Sequence, residues 1–215
     1  MPIILHSEGE VIREKVFDYI RQRKKVKDYR VLDVGGSGNT WLGSLVTGIV
    51  DLNEPAIKVN EFYQGDICKE ETWKLIPDKH YDFENCTHTL EDLRDPELVV
   101  KQLQRVARSG FISVPTKHTE LSYIESSDYL GYCHHRWIFT IRQPYSSQQV
   151  FCCYFKTVMV NSAAKLNLLR VDSNRVGHDK ELGFLWEDDF HFSYINGDFA
   201  KSGREMLETY AALFA

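Results

Sequence analysis

The chain has 215 residues, of which 43% are hydrophobic and 27% charged, and its formal net charge is −5 at pH 7. This length suits one large domain or two small ones, and the lack of an 18-residue apolar run predicts that no segment spans a membrane. The negative charge argues against a general nucleic-acid binder, and five cysteines without an export signal predict reduced thiols in the cytoplasm.

The N-terminal half of the chain alternates between helical and strand patterns. Ser7 and Glu10 are spaced as in a capping box, and apolar residues then recur at helical spacing, so a helix is predicted over about 8–25. The apolar run 29–35 predicts a buried strand that ends in glycine. The next stretch, 36–46, is rich in glycine but is still predicted to begin a helix.

Strands and helices continue to alternate as far as residue 116. Further strands are predicted over 47–53, 59–67, 81–88 and 110–116. Residues 71–79 predict a short helix or turn. Residues 94–108 predict a longer helix, because Asp95 can cap it and Pro96 suits its first turn.

The pattern loosens beyond about residue 117, where aromatic residues and histidines are frequent. Strands are predicted over 150–160 and 189–196, and a closing helix over 199–214. No repeat, low-complexity tract or break in composition divides the chain, so residues 1–215 are predicted to form a single domain.

The alternation predicts an α/β fold of the doubly wound, Rossmann-like kind, with a mostly parallel sheet of about seven strands and helices on both faces. In such a fold ligands bind beyond the carboxyl ends of the strands, where the strand order reverses. Asp33, Asp51 and Asp66 each stand at the end of a predicted strand. Their shared position predicts that the three carboxylates contribute to one binding site.

The stretch VLDVGGSGNT, residues 31–40, is the most informative about the ligand. It lacks the Gly-Lys-Ser/Thr of a phosphate-binding loop, and its glycines do not have the Gly-x-Gly-x-x-Gly spacing of a dinucleotide site. The carboxylate of Asp33, just before the glycines, repels phosphate and attracts a cation such as an amino group. A plain strand-to-helix turn is the alternative for the loop alone.

Two further aspartates extend this interpretation. Asp51 follows Asp33 by eighteen residues, at a position from which a carboxylate accepts hydrogen bonds from ribose hydroxyls. Asp66 and the backbone amide after it are placed to reach an adenine edge. The three acids together predict a nucleoside that carries a positive tail without phosphate.

These stretches resemble the successive motifs of class I S-adenosylmethionine-dependent methyltransferases. The matching segments are VLDVGGSGNT, GIVDLNEP, YQGDI and YDFENCTHTLEDLRDPELVVKQLQRVARSGFISVPT. They are most similar to the subgroup with His-x-Leu-Glu-His-Leu-x-Asp-Pro after its fourth strand, and they cover residues 29–116, about 40% of the chain. The resemblance implies S-adenosylmethionine as cofactor, a cofactor-binding half over 29–116, a substrate lid over 117–160 and C-terminal strands and a helix over 161–215.

The resemblance also implies which residues contact the cofactor. The cofactor-binding positions are Asp33, Gly35, Gly36, Ser37, Gly38, Asn39, Asp51, Leu52, Asp66, Ile67, Asn85 and Cys86. Asp33 matches the acid near the methionine amino group, and Asp51 matches the acid that binds the ribose. The chain departs from the family in its glycine loop, where either Ser37 and Asn39 replace two glycines or the loop is one residue shorter, and at Asp92, which replaces the second histidine.

Methyl transfer from a sulfonium is an in-line displacement, and an oxygen or nitrogen acceptor can also need a base to take its proton. His88, His134 and His135 are the candidate bases because histidine titrates near neutral pH, although a structural role is the alternative for each. Arg136 and Trp137 are candidates for substrate binding. No metal site is predicted, because adjacent residues such as those of Cys-His-His do not easily turn toward one ion.

The leading hypothesis is therefore an S-adenosylmethionine-dependent methyltransferase that methylates oxygen or nitrogen of a small molecule or glycan-like metabolite. The sequence predicts a small-molecule partner, no nucleic acid and no membrane, and it allows a homodimer. One alternative is an NAD-dependent oxidoreductase, against which Asp33 and the glycine spacing count. Another is a module that binds S-adenosylmethionine without catalysis, for which the altered glycine loop leaves room.

Overall fold

The computed structural model describes residues 5–8, 12–36, 40–142, 150–156 and 180–195. The strands are β1 Leu5–Glu8, β2 Val31–Val34, β3 Gly48–Asp51, β4 Glu61–Gln64, β5 Phe83–Thr87, β6 Ser109–Pro115, β7 Trp137–Arg142, β8 Val150–Phe155, β9 Glu181–Glu187 and β10 His191–Ile195. The helices are α1 Ile12–Val26, α2 Glu70–Trp73, α3 Pro96–Val106 and α4 Lys117–Glu120. Within these ranges, no helix has the length and apolar character needed to cross a bilayer.

The chain divides into two compact units. Of the described residues, 5–7, 12–114 and 183–190 form the first unit, and the others form the second. The boundary after Val114 lies close to residue 117, where the substrate lid is predicted to begin. The division of one domain into a cofactor half, a lid and a C-terminal part stays a prediction.

A seven-stranded sheet forms the centre of the first unit, in the order β1-β9-β6-β5-β2-β3-β4. The five strands from β4 to β6 are parallel to their neighbours. Their order is that of a doubly wound fold, and it reverses between β2 and β5. The predicted fold class is confirmed, and the carboxyl ends of these two strands mark the expected ligand site.

β9 runs in the opposite direction to β6. The backbone N–H of Thr116 donates to the carbonyl of Lys180, and that of Asp188 donates to the carbonyl of Arg108. The end of one strand therefore meets the start of the other, which is the pattern of an antiparallel pair. A mostly parallel sheet with an antiparallel strand toward one edge is the result.

Helices pack on both faces of this sheet. On one face, Val16 and Ile20 of α1 belong to a buried cluster with Val31, Ile49 and Phe83. Successive residues of a strand point to opposite faces, so the neighbours of these strand residues face the other layer.

α3 lies in that other layer. It buries four apolar side chains, those of Val99, Val100, Leu103 and Val106. Asp95 caps it as predicted, because its Oδ1 accepts a hydrogen bond of 3.0 Å from the backbone N–H of Leu98.

Two local predictions for the N-terminal part are wrong. Ser7 lies in β1, so it cannot cap a helix, and α1 begins at Ile12 instead of residue 8. In the described part of 36–46, residues 40–46 contain a 3₁₀ turn at Gly43–Leu45 and no α-helix. Gly43 has φ of +53°, a conformation outside the α-helical region, and glycine generally disfavours helix formation.

The second unit contains a three-stranded sheet in the order β10-β8-β7. β8 is antiparallel to β7 and parallel to β10. The ring of Trp137 packs against those of Phe155 and Tyr194, with centroids 5.2 and 5.0 Å apart. Aromatic residues that blur the sequence pattern beyond residue 117 thus pack together on one face of this sheet.

The predicted C-terminal elements are covered only in part. The strand predicted over 150–160 is present as β8, and the strand predicted over 189–196 is present as β10. The helix predicted over 199–214 lies outside the described residues. β1, β7 and β9 are strands that the sequence pattern did not predict.

Candidate cofactor-binding site

A cavity of about 300 Å³ opens beyond the carboxyl ends of β2, β3, β4 and β5 in the first unit. Its lining residues are Gly35, Asp51, Leu52, Gly65, Asp66, Ile67, His88, Thr89, Asp92 and Leu93. This is the edge of the sheet at which the strand order reverses. The structure therefore brings the ends of four strands together at one concave site, which Asp51 and Asp66 line and Asp33 does not.

The charge of the lining is distinctive. Three of its described side chains are aspartates, those of Asp51, Asp66 and Asp92, and the described lining residues include neither lysine nor arginine. Such a surface attracts a ligand with positive groups more than it attracts a pyrophosphate.

Asp33 is buried just before the end of β2, with 2% of its surface exposed. The Asn85 side-chain amide of the adjacent strand donates a 2.7 Å hydrogen bond to its Oδ1. Its Oδ2 is buried and accepts no hydrogen bond from the described residues. Burial raises the pKa of Asp33. A further hydrogen-bond donor or a cation is therefore needed to stabilise the ionised form of this carboxylate.

The glycine turn begins against this carboxylate. A Cβ on Gly36 would overlap the carboxylate of Asp33, and a Cβ on Gly35 would lie 2.6 Å from the Thr89 hydroxyl. Gly35 also has φ of +75°, which glycine adopts without steric cost. The first two glycines are therefore required by the close approach of their neighbours, while Ser37, Gly38 and Asn39 lie outside the described residues.

Asp51 ends β3 and holds the start of the following loop. Its Oδ1 accepts a hydrogen bond of 2.8 Å from the backbone N–H of Asn53, the pattern of an Asx turn. Leu52, between them, lines the cavity with 62% of its surface exposed. A carboxylate beside an exposed apolar side chain suits a ligand with hydroxyl groups next to a flat apolar ring.

Asp66 follows β4 and is already bonded through both of its oxygens. Oδ1 accepts from the backbone N–H of Cys68 at 2.9 Å, and Oδ2 accepts from the guanidinium of Arg94 at 3.0 Å. The backbone of Ile67 is held as well, because its carbonyl accepts a 2.7 Å hydrogen bond from the Trp73 indole. Asp66 therefore shapes the loop, and a ligand at its Oδ2 would share or displace Arg94.

The two residues predicted on β5 face opposite sides of the sheet. Asn85 is buried and holds Asp33, so it supports the site from beneath. Cys86 is completely buried, does not line the cavity, and has the pKa of its thiol raised by burial. The geometry thus gives Asn85 a positioning role and gives Cys86 a place in the core.

His88 lies at the cavity in an uncommon backbone conformation, with φ of +48°. Its backbone N–H donates to the carbonyl of Ser113, and its Nδ1 lies 3.1 Å from Oε1 of Glu91. The Glu91 side chain is almost completely buried, whereas that of His88 is 44% exposed. A buried carboxylate that holds one imidazole nitrogen fixes the orientation of the ring.

Sequence reasoning missed Glu91 and Thr89 as parts of the site. Thr89 lines the cavity and packs on Gly35, and Glu91 holds His88. The spacing of three residues between His88 and Glu91 is visible in the sequence. The burial of Glu91 is not, because it depends on packing against the rest of the unit.

The remaining predicted residues lie in the second unit. His135 Nδ1 lies 2.5 Å from Oε1 of Glu120, a fully buried carboxylate whose Oε2 accepts from Lys156 at 2.6 Å. Next to it, His134 is exposed, and the two imidazole centroids are 4.4 Å apart.

The last two predicted residues flank the start of β7. Arg136 is exposed, whereas Trp137 is 3% exposed and packs in the sheet. The burial of Trp137 favours a supporting role in the sheet over contact with a substrate.

Comparison with known proteins gives fold-level neighbours. No family model matches the chain, and no curated protein matches it. Among solved structures, it is similar to a SAM-dependent methyltransferase from Archaeoglobus fulgidus, with 16% identity, coverage of 81% of this chain and 94% of that chain, and a TM-score of 0.44. An S-adenosylmethionine-dependent methyltransferase from Mesorhizobium loti gives 10% identity, coverage of 80% and 97%, and a TM-score of 0.40. The function of the protein is therefore inferred from the residues of this chain.

The residues at the cavity and at the end of β2 fit S-adenosylmethionine. Asp33 Oδ2 is buried, accepts no hydrogen bond from the described residues, and lies beside a turn that a Cβ would obstruct. The cavity next to it has three aspartates and the exposed apolar surface of Leu52. An acceptor for an amino group, an acid for a ribose and an apolar contact for a base are thus arranged along one edge of the sheet.

Proposed function

We propose that the protein is an S-adenosylmethionine-dependent methyltransferase. The observation that carries the proposal is the charge of the cavity, whose described lining has three aspartates and neither lysine nor arginine. Its position at the reversal of strand order is where doubly wound folds bind nucleotides. A nucleoside with a positive amino group and a sulfonium matches this surface, whereas NAD, with its pyrophosphate, does not.

In the proposed complex, the first unit holds the cofactor through groups at the strand ends. Asp33 and the turn at Gly35 and Gly36 would accept the amino end, directly or through water. Asp51 would bind the ribose hydroxyls, and Leu52 would pack beside the adenine. Asp66 and Ile67 would meet the adenine edge, and the loop that carries them is fixed by the hydrogen bond to the Trp73 indole.

When bound, S-adenosylmethionine supplies a methyl group on a positively charged sulfur. The chain's own contribution is to hold the acceptor in line with that methyl and to exclude water. We propose His88 as the base that takes the proton of an oxygen or nitrogen acceptor. If its Nδ1–H donates to Glu91, Nε2 is the nitrogen that accepts the proton.

His134, His135 and Arg136 are proposed to contribute to substrate binding, with either histidine as an alternative base. The mixture of imidazole and guanidinium suits a polar or anionic acceptor. The net charge of −5 favours a small molecule or glycan-like metabolite over a nucleic acid. Five free thiols favour the cytoplasm as the site of action.

A second candidate function, cofactor binding without catalysis, is favoured by the altered glycine loop, which has Ser37 and Asn39 where the family has glycines. Turnover with any acceptor distinguishes the enzyme from such a module.

The proposal is tested by calorimetric titration with S-adenosylmethionine, S-adenosylhomocysteine and NAD. We expect the first two to bind and NAD not to bind. Asp51→Ala should weaken S-adenosylmethionine binding by about 1–3 kcal/mol, the order expected for hydrogen bonds to a charged group. Glu54→Ala, an exposed acid three residues away, is the matched control and should bind normally.

Catalysis is then tested with S-adenosylmethionine labelled in its methyl group and a panel of small hydroxyl and amine acceptors. Transfer of label to an acceptor supports the enzyme. Tight binding without transfer to any acceptor class supports the module instead. Binding of NAD in preference to S-adenosylmethionine contradicts both.

A further inference from the structure

The second unit carries three neighbouring side chains with different metal-ligating atoms. The Sγ of Cys133, a ring nitrogen of His134 and a carboxylate oxygen of Glu125 all lie within 4.8 Å of one another. Zinc ligands at roughly 2.0–2.3 Å from one ion stand about 3.3–3.8 Å apart in a tetrahedron. Small rotations of these exposed side chains would therefore bring all three atoms onto one ion.

The backbone explains how two adjacent residues can serve one ion. The N–H of His135 donates to the carbonyl of Tyr132 at 3.3 Å, so Cys133 and His134 are the central residues of a turn. In a strand their side chains would point to opposite faces, which is why the sequence argues against a metal here. The turn removes that objection.

The turn is also held in place from outside. Just before it, the N–H of Gly131 donates to the carbonyl of Ser122 at 2.6 Å, and Gly131 has φ of +61°. The Lys156 ammonium donates to the carbonyl of Tyr132 at 2.8 Å. A ligating segment that is fixed before the ion arrives loses less conformational entropy on binding.

The carboxylate is linked to the same turn from eight residues away. The backbone N–H of Cys133 donates a 3.0 Å hydrogen bond to Oε2 of Glu125. This bond orients the carboxylate and leaves its second oxygen for a cation. The charges also balance, because one carboxylate and one thiolate neutralise a divalent ion.

We propose that Glu125, Cys133 and His134 form a binding site for a divalent cation of the zinc type. Sulfur, imidazole and carboxylate together suit zinc, whereas magnesium and calcium prefer oxygen ligands alone. Three protein ligands leave a fourth position for water or for a small molecule with a donor atom. The exposure of all three side chains gives the ion an open path.

His134 is shared with the proposed substrate site, but cation binding needs no cofactor, so it is measured separately from methyl transfer. The test uses the full-length, tag-free protein, reduced and treated with a chelator, and then titrated with cobalt(II) without oxygen. We expect one equivalent to bind and to give a thiolate-to-cobalt charge-transfer band. Zinc should then displace the cobalt and remove the band.

Single variants identify the ligands. Cys133→Ser should abolish the charge-transfer band, and Glu125→Gln and His134→Gln should each weaken cobalt binding at least about 10-fold, since even indirect contacts to a metal are worth 10- to 100-fold. Cys68→Ser, which alters a partly exposed cysteine of the first unit, should bind cobalt as the unaltered protein does. Circular dichroism checks that each variant is folded.

The proposal is overturned if the unaltered protein binds no stoichiometric cobalt. It is also overturned if Cys133→Ser keeps the band, or if Cys68→Ser loses it. Should Cys133→Ser fail to fold, the other two variants decide: unchanged affinity in both contradicts the site.

Discussion

Glu84 offers a stability test that is separate from ligand binding. Its side chain is completely buried on β5, where Oε1 accepts a 2.8 Å hydrogen bond from the Trp186 indole and Oε2 has no hydrogen-bond partner among the described residues. A Cβ on Gly110, on the neighbouring strand, would overlap this carboxyl. The Glu84 carboxyl group is therefore enclosed in the core, where the Trp186 indole is its one hydrogen-bond donor among the described residues.

Burial raises the pKa of Glu84 well above its ordinary value of 4.5. The folded state thus binds the proton more tightly than the unfolded chain, and the stability that comes from this proton is fully present below pH 4.5. It is lost as the pH rises through the raised folded pKa. Each pKa unit of elevation corresponds to about 1.4 kcal/mol.

Glu84→Gln keeps the shape and the oxygen that accepts from Trp186 but cannot ionise. We expect it to match the unaltered protein near pH 4.5 and to become more stable than it as the pH rises. The gain should grow as the pH rises above 4.5 and level off above the raised folded pKa, and each kcal/mol of gain raises the Tm by roughly 2–4 °C for a chain of this size. Urea unfolding followed by circular dichroism from pH 5 to pH 9 measures the difference.

The comparison between variants isolates this one carboxyl, because every other titrating group is shared. Glu54→Gln, at an exposed position, is the control and should differ from the unaltered protein by a constant amount at all pH values. The reasoning is refuted if the difference between Glu84→Gln and the unaltered protein is equally independent of pH.

Three further outcomes are expected. Gly36→Ala should push a Cβ into the Asp33 carboxylate, and calorimetry should show weaker S-adenosylmethionine binding, whereas unchanged affinity would contradict the tight turn. Asp95→Ala should remove the cap of α3 and lower the free energy of unfolding by about 1 kcal/mol in urea titrations; a change below 0.3 kcal/mol would mean that the cap is not formed. Glu91→Gln should leave S-adenosylmethionine affinity unchanged but lower kcat and alter its pH profile, because Glu91 holds His88; an unchanged profile would remove His88 as the base.

The sequence predicts the parts of the molecule that depend on local pattern. α3 is predicted by its apolar spacing, by Asp95 and by Pro96, and all three features are present in the structure. The placement of Asp51 and Asp66 beyond strand ends follows from the strand pattern alone, because parallel strands present their carboxyl ends at one edge. Local residues determine these features, so local reasoning finds them.

The parts that the sequence does not predict depend on contacts between distant segments. β9 pairs with β6, although more than 60 residues separate the two strands in the chain. A pattern read over a short stretch of sequence therefore cannot predict this pairing. β7 has buried apolar residues on both faces, Trp137 and Phe139 on one and Ile138 on the other, so the alternation typical of a half-exposed strand is missing. The predicted helix over 36–46 is wrong because the short turn and its contacts override a weak propensity.

The buried carboxylates of this fold differ in whether they contact groups at the cavity. Among the described residues, Asp33, Glu84 and Glu91 each have one buried oxygen without a hydrogen-bond donor. Glu84 contacts the Trp186 side chain on the face of β5 opposite to Asn85. We expect its protonation state to affect the stability of the fold. Asp33 and Glu91 instead support groups at the cavity, the glycine turn and His88.

A ligand that binds the folded state stabilises it according to its concentration and affinity. S-adenosylmethionine should therefore raise the Tm of the unaltered protein and of Glu84→Gln by the same amount. The increment should be smaller for Asp33→Asn, because the amide cannot hold a positive amino group. If all three proteins show the same increment, Asp33 is a structural carboxylate like Glu84, and the amino end of the cofactor is held elsewhere.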